Sequence, residues 1–269
     1  MRQVLLSLAA ATLVVAPLSA AEAATSRYSV SATSSDRTLD LTSADGSGRS
    51  TVIKGKVKGG SVKGKKVYLY ASNTSAQDQA YRYIGSDRLS SSGRFAKKWK
   101  PKDGGTYLVR VVKKAGSGKA EGSDLTRVRV YQFTNLVRFL DPASAAKAQR
   151  VDKAGTVGGQ RWSTALELAP GSTTVFNTQG YRCFQVNFKI GVADNSRGGA
   201  GSFAVAQAGR SILSGSHAKG QRFIEPTRSQ RKQILDDRPV TVSISGDASF
   251  ILGNPKALCT YPTRSTPVR

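Results

Sequence analysis

Short runs in which apolar and polar residues alternate recur along most of the chain, bounded by clusters of Gly, Ser, Asn and Asp. Period-two alternation sends successive side chains to opposite faces of an extended backbone, so each run reads as a strand with one buried face. In the first half these runs include "STVIKGKVKG", "KKVYLYAS", "GRFAKKWK", "TYLVRVVKK" and "LTRVRVYQF". In "TYLVRVV", Tyr107, Val109 and Val111 share one face while Arg110 points away. By the same parity Trp99 shares a face with Phe95 and completes an inner layer instead of offering a stacking platform. Helical periodicity is nearly absent. The strand spacing, with turns such as "KGGSVKG" and "KPKDGG", predicts a β-sandwich of immunoglobulin-like size over residues 24–133.

Beyond it, "PASAAKAQRVDKAG" is small, polar and turn-prone, which predicts a linker or long connection over residues 134–154, with a short helix from Ala143 to Arg150 as an option. Alternation resumes in "ALEL", "CFQVNFKIGV", "SFAVAQAG", "SILSGSHAKG", "PVTVSISG" and "ASFILG". These runs predict a second, jelly-roll-like sandwich over residues 155–269. The expected fold is therefore all-β, with two β-sandwich domains in series. The Gly-rich stretch after Val192 reads as the turn of a hairpin. Asp194, Asn195 and Ser196 suit an Asx-type turn, and one acid beside Arg197 is too small a supply for calcium, which takes six to eight oxygens.

The N-terminus adds a compartment. Arg2 precedes an apolar run from Val4 to Val15, and Ala21 and Ala23 lie where a signal peptidase reads. Residues 1–23 are expected to be a signal peptide, and no later segment is apolar enough to cross a membrane. The mature chain is then secreted, free or attached to the cell wall, and export favours pairing of Cys183 with Cys259. That disulfide would close a loop of about 75 residues and stabilise the fold by about 4–5 kcal/mol in the chain-entropy picture. Forty-one Lys and Arg against seventeen Asp and Glu give a formal charge of +24, with the surplus spread over both halves. Such a field attracts acidic polysaccharide, anionic cell-wall polymers or extracellular nucleic acid.

Reactive chemistry is poorly supplied. His217 is the only histidine and lies in "LSGSHAKGQ" without acidic neighbours, so it reads as a surface residue and not as a member of a triad. No Gly-x-Ser-x-Gly elbow surrounds a serine. Glycoside hydrolysis needs two carboxylates in one cleft, and Glu167, Glu225, Asp236 and Asp237 read as strand or turn residues. No cofactor or metal site is expected.

Two resemblances sharpen the reading. The stretch "GKKVYLYAS" followed by "SSGRFAKKWKPKDGGTYLVRV" resembles Ig-like modules of secreted bacterial proteins over residues 50–132. "GYRCFQVNFKIGVADNSRGGAGSFAVAQAGRSIL" and "RPVTVSISGDASFILGNPKALCTYP" resemble the NPCBM family, the novel putative carbohydrate-binding module, over residues 155–262. The motif elements are "IGVADN" (Ile190 to Asn195), then the Gly-rich turn, then Phe203 and Val205 in a Phe-x-Val strand. Departures are Ala208-Gly209 where the family often has Asp-Gly, and "GNPKALCTYP" where a tryptophan is common. The resemblance implies a β-sandwich that binds glycan.

The first module is then a cationic spacer and the second the recognition unit of a non-enzymatic glycan-binding protein. Electrostatic binding of teichoic acid or extracellular DNA is the alternative, and a glycan hydrolase the third. Sugar binding needs exposed rings with polar groups at the rim, which nominates Trp162, Tyr181 and Tyr261 with Asp194, Asn195 and Arg197.

Overall fold

The computed structural model describes residues 26–43, 48–145, 147–150, 155–231 and 238–264. The expected signal peptide, Asp236 and Asp237 lie outside them.

Nearly all regular structure is β. The first lobe contains β1 (Ser29–Ser34), β2 (Thr38–Asp40), β3 (Thr51–Lys58), β4 (Lys66–Asn73), β5 (Arg82–Arg88), β6 (Arg94–Trp99), β7 (Gly105–Lys113) and β8 (Gly122–Asn135). A sheet of order β1-β3-β6 faces the sheet β5-β4-β7-β8, and β2 runs parallel beside β8. Leu39, Ile53, Leu69, Val109, Val111, Val128 and Val130 are buried between the layers. Alternation places them there, with Arg127 and Arg129 turned outward from β8. Trp99 joins this core, its ring edge-on to Tyr107 at 5.2 Å between centroids.

The second lobe contains β9 (Ala148–Arg150), β10 (Thr156–Val157), β11 (Gln160–Arg161), β12 (Ala165–Leu168), β13 (Thr173–Phe176), β14 (Gln185–Val192), β15 (Ala200–Gln207), β16 (Arg210–Ala218), β17 (Val240–Gly246) and β18 (Phe250–Cys259). Here β18 is central, with β14 along one edge and β12 followed by β8 along the other. The opposing sheet has the order β13-β17-β15-β16. Phe176, Phe250, Leu166, Ile190, Phe203 and Val242 fill the space between.

Two relationships tie the lobes together. Strand β8 pairs with β7 from Gly122 to Val130 and with β18 from Gln132 to Asn135, so one sheet runs through both lobes. The segment read as a connection continues directly from β8. Among its described residues are a 3-10 turn at Leu136–Phe139, a short helix at Pro142–Ala145 and strand β9. Leu136 and Phe139 anchor it in the second core. The Cys183–Cys259 disulfide is present, both residues buried, joining the entry of β14 to the end of β18.

The Gly-rich turn after Val192 is not a hairpin. Strand β14 pairs with β18, whereas β15 pairs with β16 and β17, so residues 193–199 arch from one sheet to the other. Ser196 holds the arch: its Oγ accepts from Ser249 N at 2.9 Å, and its carbonyl accepts from Lys219 Nζ at 2.9 Å.

Candidate functional site

Where β8 passes from β7 to β18, the two lobes leave a cleft of about 1120 Å³. Its first wall is the outward face of β7 and β8: Thr106, Leu108, Arg127 and Arg129. Their neighbours Tyr107, Val109, Val128 and Val130 point into or pack against the core, and strand parity turns these four outward. The second wall comes from the 3-10 turn, the loop before β14 and the residues after β18, which bring Arg138, Phe139, Tyr181, Arg182 and Tyr261.

Three rings of this wall form a cluster. Tyr181 and Tyr261 lie 4.8 Å apart between centroids, and Phe139 lies 5.6 Å from Tyr181 and 4.9 Å from Tyr261. The Arg138 guanidinium stands 5.9 Å from the centre of the Tyr261 ring. Burial, followed by the proximity of Tyr261, raises the Tyr181 phenol above its ordinary pKa, so it is neutral and able to donate a hydrogen bond at physiological pH. Arg182 adopts φ +44°, a left-handed conformation disfavoured for a residue with a Cβ. It is held there beside the disulfide.

The cleft is strongly cationic. Arg127, Arg129, Arg138 and Arg182 line it, and none makes an ion pair among the described residues. The Arg129 Nε is buried and has no hydrogen-bond partner among them. Asp141 is the one carboxylate in the lining, and its Oδ1 accepts from Ala143 N at 2.9 Å. Such a surface suits planar anions that guanidinium forks grip in bidentate fashion. Hydrolysis of a glycoside would need a second carboxylate there.

The residues nominated from sequence divide into three groups. Tyr181, half-buried, and Tyr261, 5% exposed, meet in the cleft wall, although Tyr261 is a core residue and not a bare platform. Trp162 is no platform either. It is 7% exposed, packed with Val157, Ala165, Ala193 and Ile251 and edge-on to Phe223 at 5.5 Å. Gly253 makes the room, since a Cβ at that position would fall 2.4 Å from the indole. Asp194, Asn195 and Arg197 lie on the arch and do not line the cleft.

Asp194 is an architectural clamp. Its two oxygens accept from Gly158 N at 2.8 Å and Gly159 N at 2.9 Å, holding the β10–β11 turn. Partial desolvation would raise its pKa, but the hydrogen bonds from Gly159, Thr156 and Gly158, with the charge of Lys219, outweigh that and hold the carboxyl below its ordinary range. Asn195 and Arg197 are exposed.

His217 also departs from its expected surface position. It is 3% exposed, its Nδ1 accepts from Val192 N at 3.0 Å, and Nε2 lies 2.9 Å from the Arg222 carbonyl. Those contacts select the Nε2–H tautomer and make the ring a brace between β14 and the loop after β16. The described residues contain no cluster of three His, Cys, Asp or Glu suited to a metal, and no helix long and apolar enough to cross a membrane.

Sequence reasoning missed Arg127, Arg129, Arg138, Phe139 and Arg182. The signal for the first two was present in "TRVRVYQ", where alternating Arg and Val mark a cationic outer face.

Protein-family models and curated proteins give no match to this chain. Among solved structures, it is similar to the tandem CBM51 modules of Sp3GH98, the family 98 glycoside hydrolase from Streptococcus pneumoniae. That match has 11% identity and a TM-score of 0.37 over 77% of this chain and 81% of the other. The M60 catalytic domain with its two CBM51 domains from Clostridium perfringens ZmpB matches at 7% identity and a TM-score of 0.36. That match covers 80% of this chain but only 34% of the other, so this chain spans about a third of it. A SusE-like protein matches at 9% identity and a TM-score of 0.24 over 89% of this chain and 97% of the other. Likeness at this level identifies neither a ligand nor a site.

Proposed function

We propose that this chain is a secreted, non-enzymatic binding protein that holds an acidic polysaccharide of the cell envelope or extracellular space in the cleft between its lobes. The observation that carries the reading is the meeting of four arginines outside any described ion pair with the Phe139–Tyr181–Tyr261 ring cluster. Guanidinium groups would grip carboxylates while the half-buried Tyr181 ring, backed by Phe139 and Tyr261, packs against the CH groups of a pyranose. The resemblance of residues 155–262 to the NPCBM family points to the same ligand class. Export follows from the signal-peptide pattern of residues 1–23, and protein from culture medium would begin at Ala24.

Affinity electrophoresis tests the site. The full mature chain should be retarded in a gel containing hyaluronan, a carboxylate polysaccharide, and not in one containing neutral dextran. The double variant Arg129→Ala/Arg138→Ala should lose most of that retardation. Equal mobility of the unaltered protein in both gels would overturn the reading.

The +24 charge favours a second reading, electrostatic capture of teichoic acid or extracellular DNA. Such binding would fall steeply with salt as phosphates are neutralised. It would also survive Tyr181→Ala, which glycan binding would not.

A further inference from the structure

The cleft is the first in a row of adjoining hollows. Leu108, Arg127 and Arg129 also bound a neighbouring hollow of about 650 Å³, together with Arg37 and Leu125. Leu125 bounds a third, of about 380 Å³, with Tyr81 and Arg110. Shared lining residues set the three hollows side by side across the outer face of the first lobe.

Strand register shows what that face presents. Tyr83, Tyr70, Arg110 and Leu125 are direct cross-strand neighbours over β5, β4, β7 and β8. The next row is Ser72, Leu108 and Arg127, and Thr106 with Arg129 follows. Same-face positions along a strand are about 7 Å apart, so the rows step steadily toward the cleft. The exposed large hydrophobic residues of the described chain all belong to this region: Tyr83 at 58%, Leu125 at 51% and Tyr81 at 42%. Tyr70 and Tyr83 meet edge-on at 5.7 Å between centroids.

The cations are sorted by type. Every basic residue bounding the three hollows is an arginine, namely Arg37, Arg110, Arg127, Arg129, Arg138 and Arg182. The outer face of β3 and β6 carries mainly lysine instead: Lys54, Lys56, Lys58 and Lys98 beside Arg94. Solubility needs only charge, whereas recognition of planar anions favours the guanidinium fork. The acids along the row are committed locally. Asp124 accepts from Ala32 N and Leu125 N, both at 2.8 Å, and the nearby Glu121 lies 3.7 Å from Arg110 in a half-exposed pair.

We infer that the outer face of the first lobe is a second subsite, over which a long acidic polysaccharide continues from the cleft. The inference rests on the glycan reading of the cleft and makes the first lobe part of the recognition surface instead of a spacer. Carboxylates would engage Arg110 and Arg127 while sugar faces rest on Tyr81, Tyr83 and Leu125. Charge complementarity and the row of adjoining hollows select a linear polyanion as occupant.

The experiment compares a short hyaluronan fragment, able to occupy the cleft alone, with a long one, using the full mature chain. Two subsites on one ligand raise affinity through effective concentration, so the long fragment should bind tighter by about tenfold or more. Tyr83→Ala/Arg110→Ala/Leu125→Ala should remove that length gain and leave short-fragment affinity intact, with an unchanged melting temperature as the control for folding. Equal affinity for both lengths, or a length gain that persists in the triple variant, would overturn the second subsite while the cleft reading stands. Absence of binding to either fragment would instead overturn the cleft reading itself. A single-stranded DNA of matched charge that binds more tightly than long hyaluronan and loses affinity in the triple variant would overturn the polysaccharide assignment in favour of nucleic acid.

Discussion

The carboxylate of Asp103, in the loop between β6 and β7, closes on the backbone of Thr263, 160 residues further along the chain. Its Oδ1 accepts from Thr263 N at 2.8 Å and from Gln132 Nε2 at 2.7 Å, and its Oδ2 accepts from Arg264 N at 3.0 Å. Gln132 Nε2 also reaches the Tyr261 carbonyl at 2.9 Å, which ties one ring of the cleft wall to the first lobe. Asp103→Ala would strip partners from several partly buried donors at once. It should destabilise the chain by about 2–4 kcal/mol in denaturant unfolding, since each stranded group costs about 1–3 kcal/mol. Glycan binding should weaken as Tyr261 loses its anchor.

Burial of Trp162 predicts a result opposite to that of a sugar platform. Trp162→Ala should cost about 3–5 kcal/mol of stability. Where the variant remains folded, affinity for hyaluronan should be unchanged. Indole fluorescence unaffected by saturating hyaluronan would agree, and a large variant effect on affinity without loss of stability would contradict it.

Arg182 sets stability against binding. Its left-handed φ costs about 1 kcal/mol for a residue with a Cβ and nothing for glycine, whose unfolded state is however more disordered. Arg182→Gly should therefore keep stability within about 1 kcal/mol of the parent while weakening binding to hyaluronan. Isothermal titration beside thermal melting separates the two effects.

The depressed pKa of Asp194 makes the arch sensitive to acid. A carboxyl held below its unfolded value contributes stability above the ordinary carboxylate range and loses it as pH falls through the folded pKa. Asp194→Asn should cost less than about 1 kcal/mol at neutral pH, because the group is solvated enough to be screened. That gap should close in strong acid, which urea midpoints measured along a pH series would show.

Loss of the disulfide should reach both the fold and the cleft. Cys183→Ala/Cys259→Ala should lower stability by about 2–5 kcal/mol. Hyaluronan affinity should fall with it, because Tyr181 and Arg182 immediately precede the bridge. Reduction of the unaltered chain should reproduce the stability loss, and the Ala pair should be insensitive to reductant.

Local pattern carried the strands and left their partners open. Val109 and Val111 against Arg110 could be assigned to faces from alternation alone, and the expectation of export made the Cys183–Cys259 pairing the natural one. Sequence alone suggests a hairpin after Val192, because a Gly-rich turn serves equally between paired strands and between opposed sheets. Only the pairing of β15 with β17 decides between them. The burial of Trp162 leaves no local trace, because it depends on Gly253 in a distant strand. The cleft was illegible for a related reason. Arg127 and Arg129 announce an outer face, but their meeting with Arg138, Tyr181 and Tyr261 is created where β8 changes partner.

Continuity of β8 through both lobes has a mechanical consequence. For the walls to swing apart like jaws, β8 would have to bend at Tyr131, between its two ladders, and the Asp103 contacts to Thr263, Arg264 and Gln132 would have to break, so the aperture is braced on both sides. Little reorganisation remains to be done on docking, and discrimination falls to the shape and spacing of whatever is threaded through.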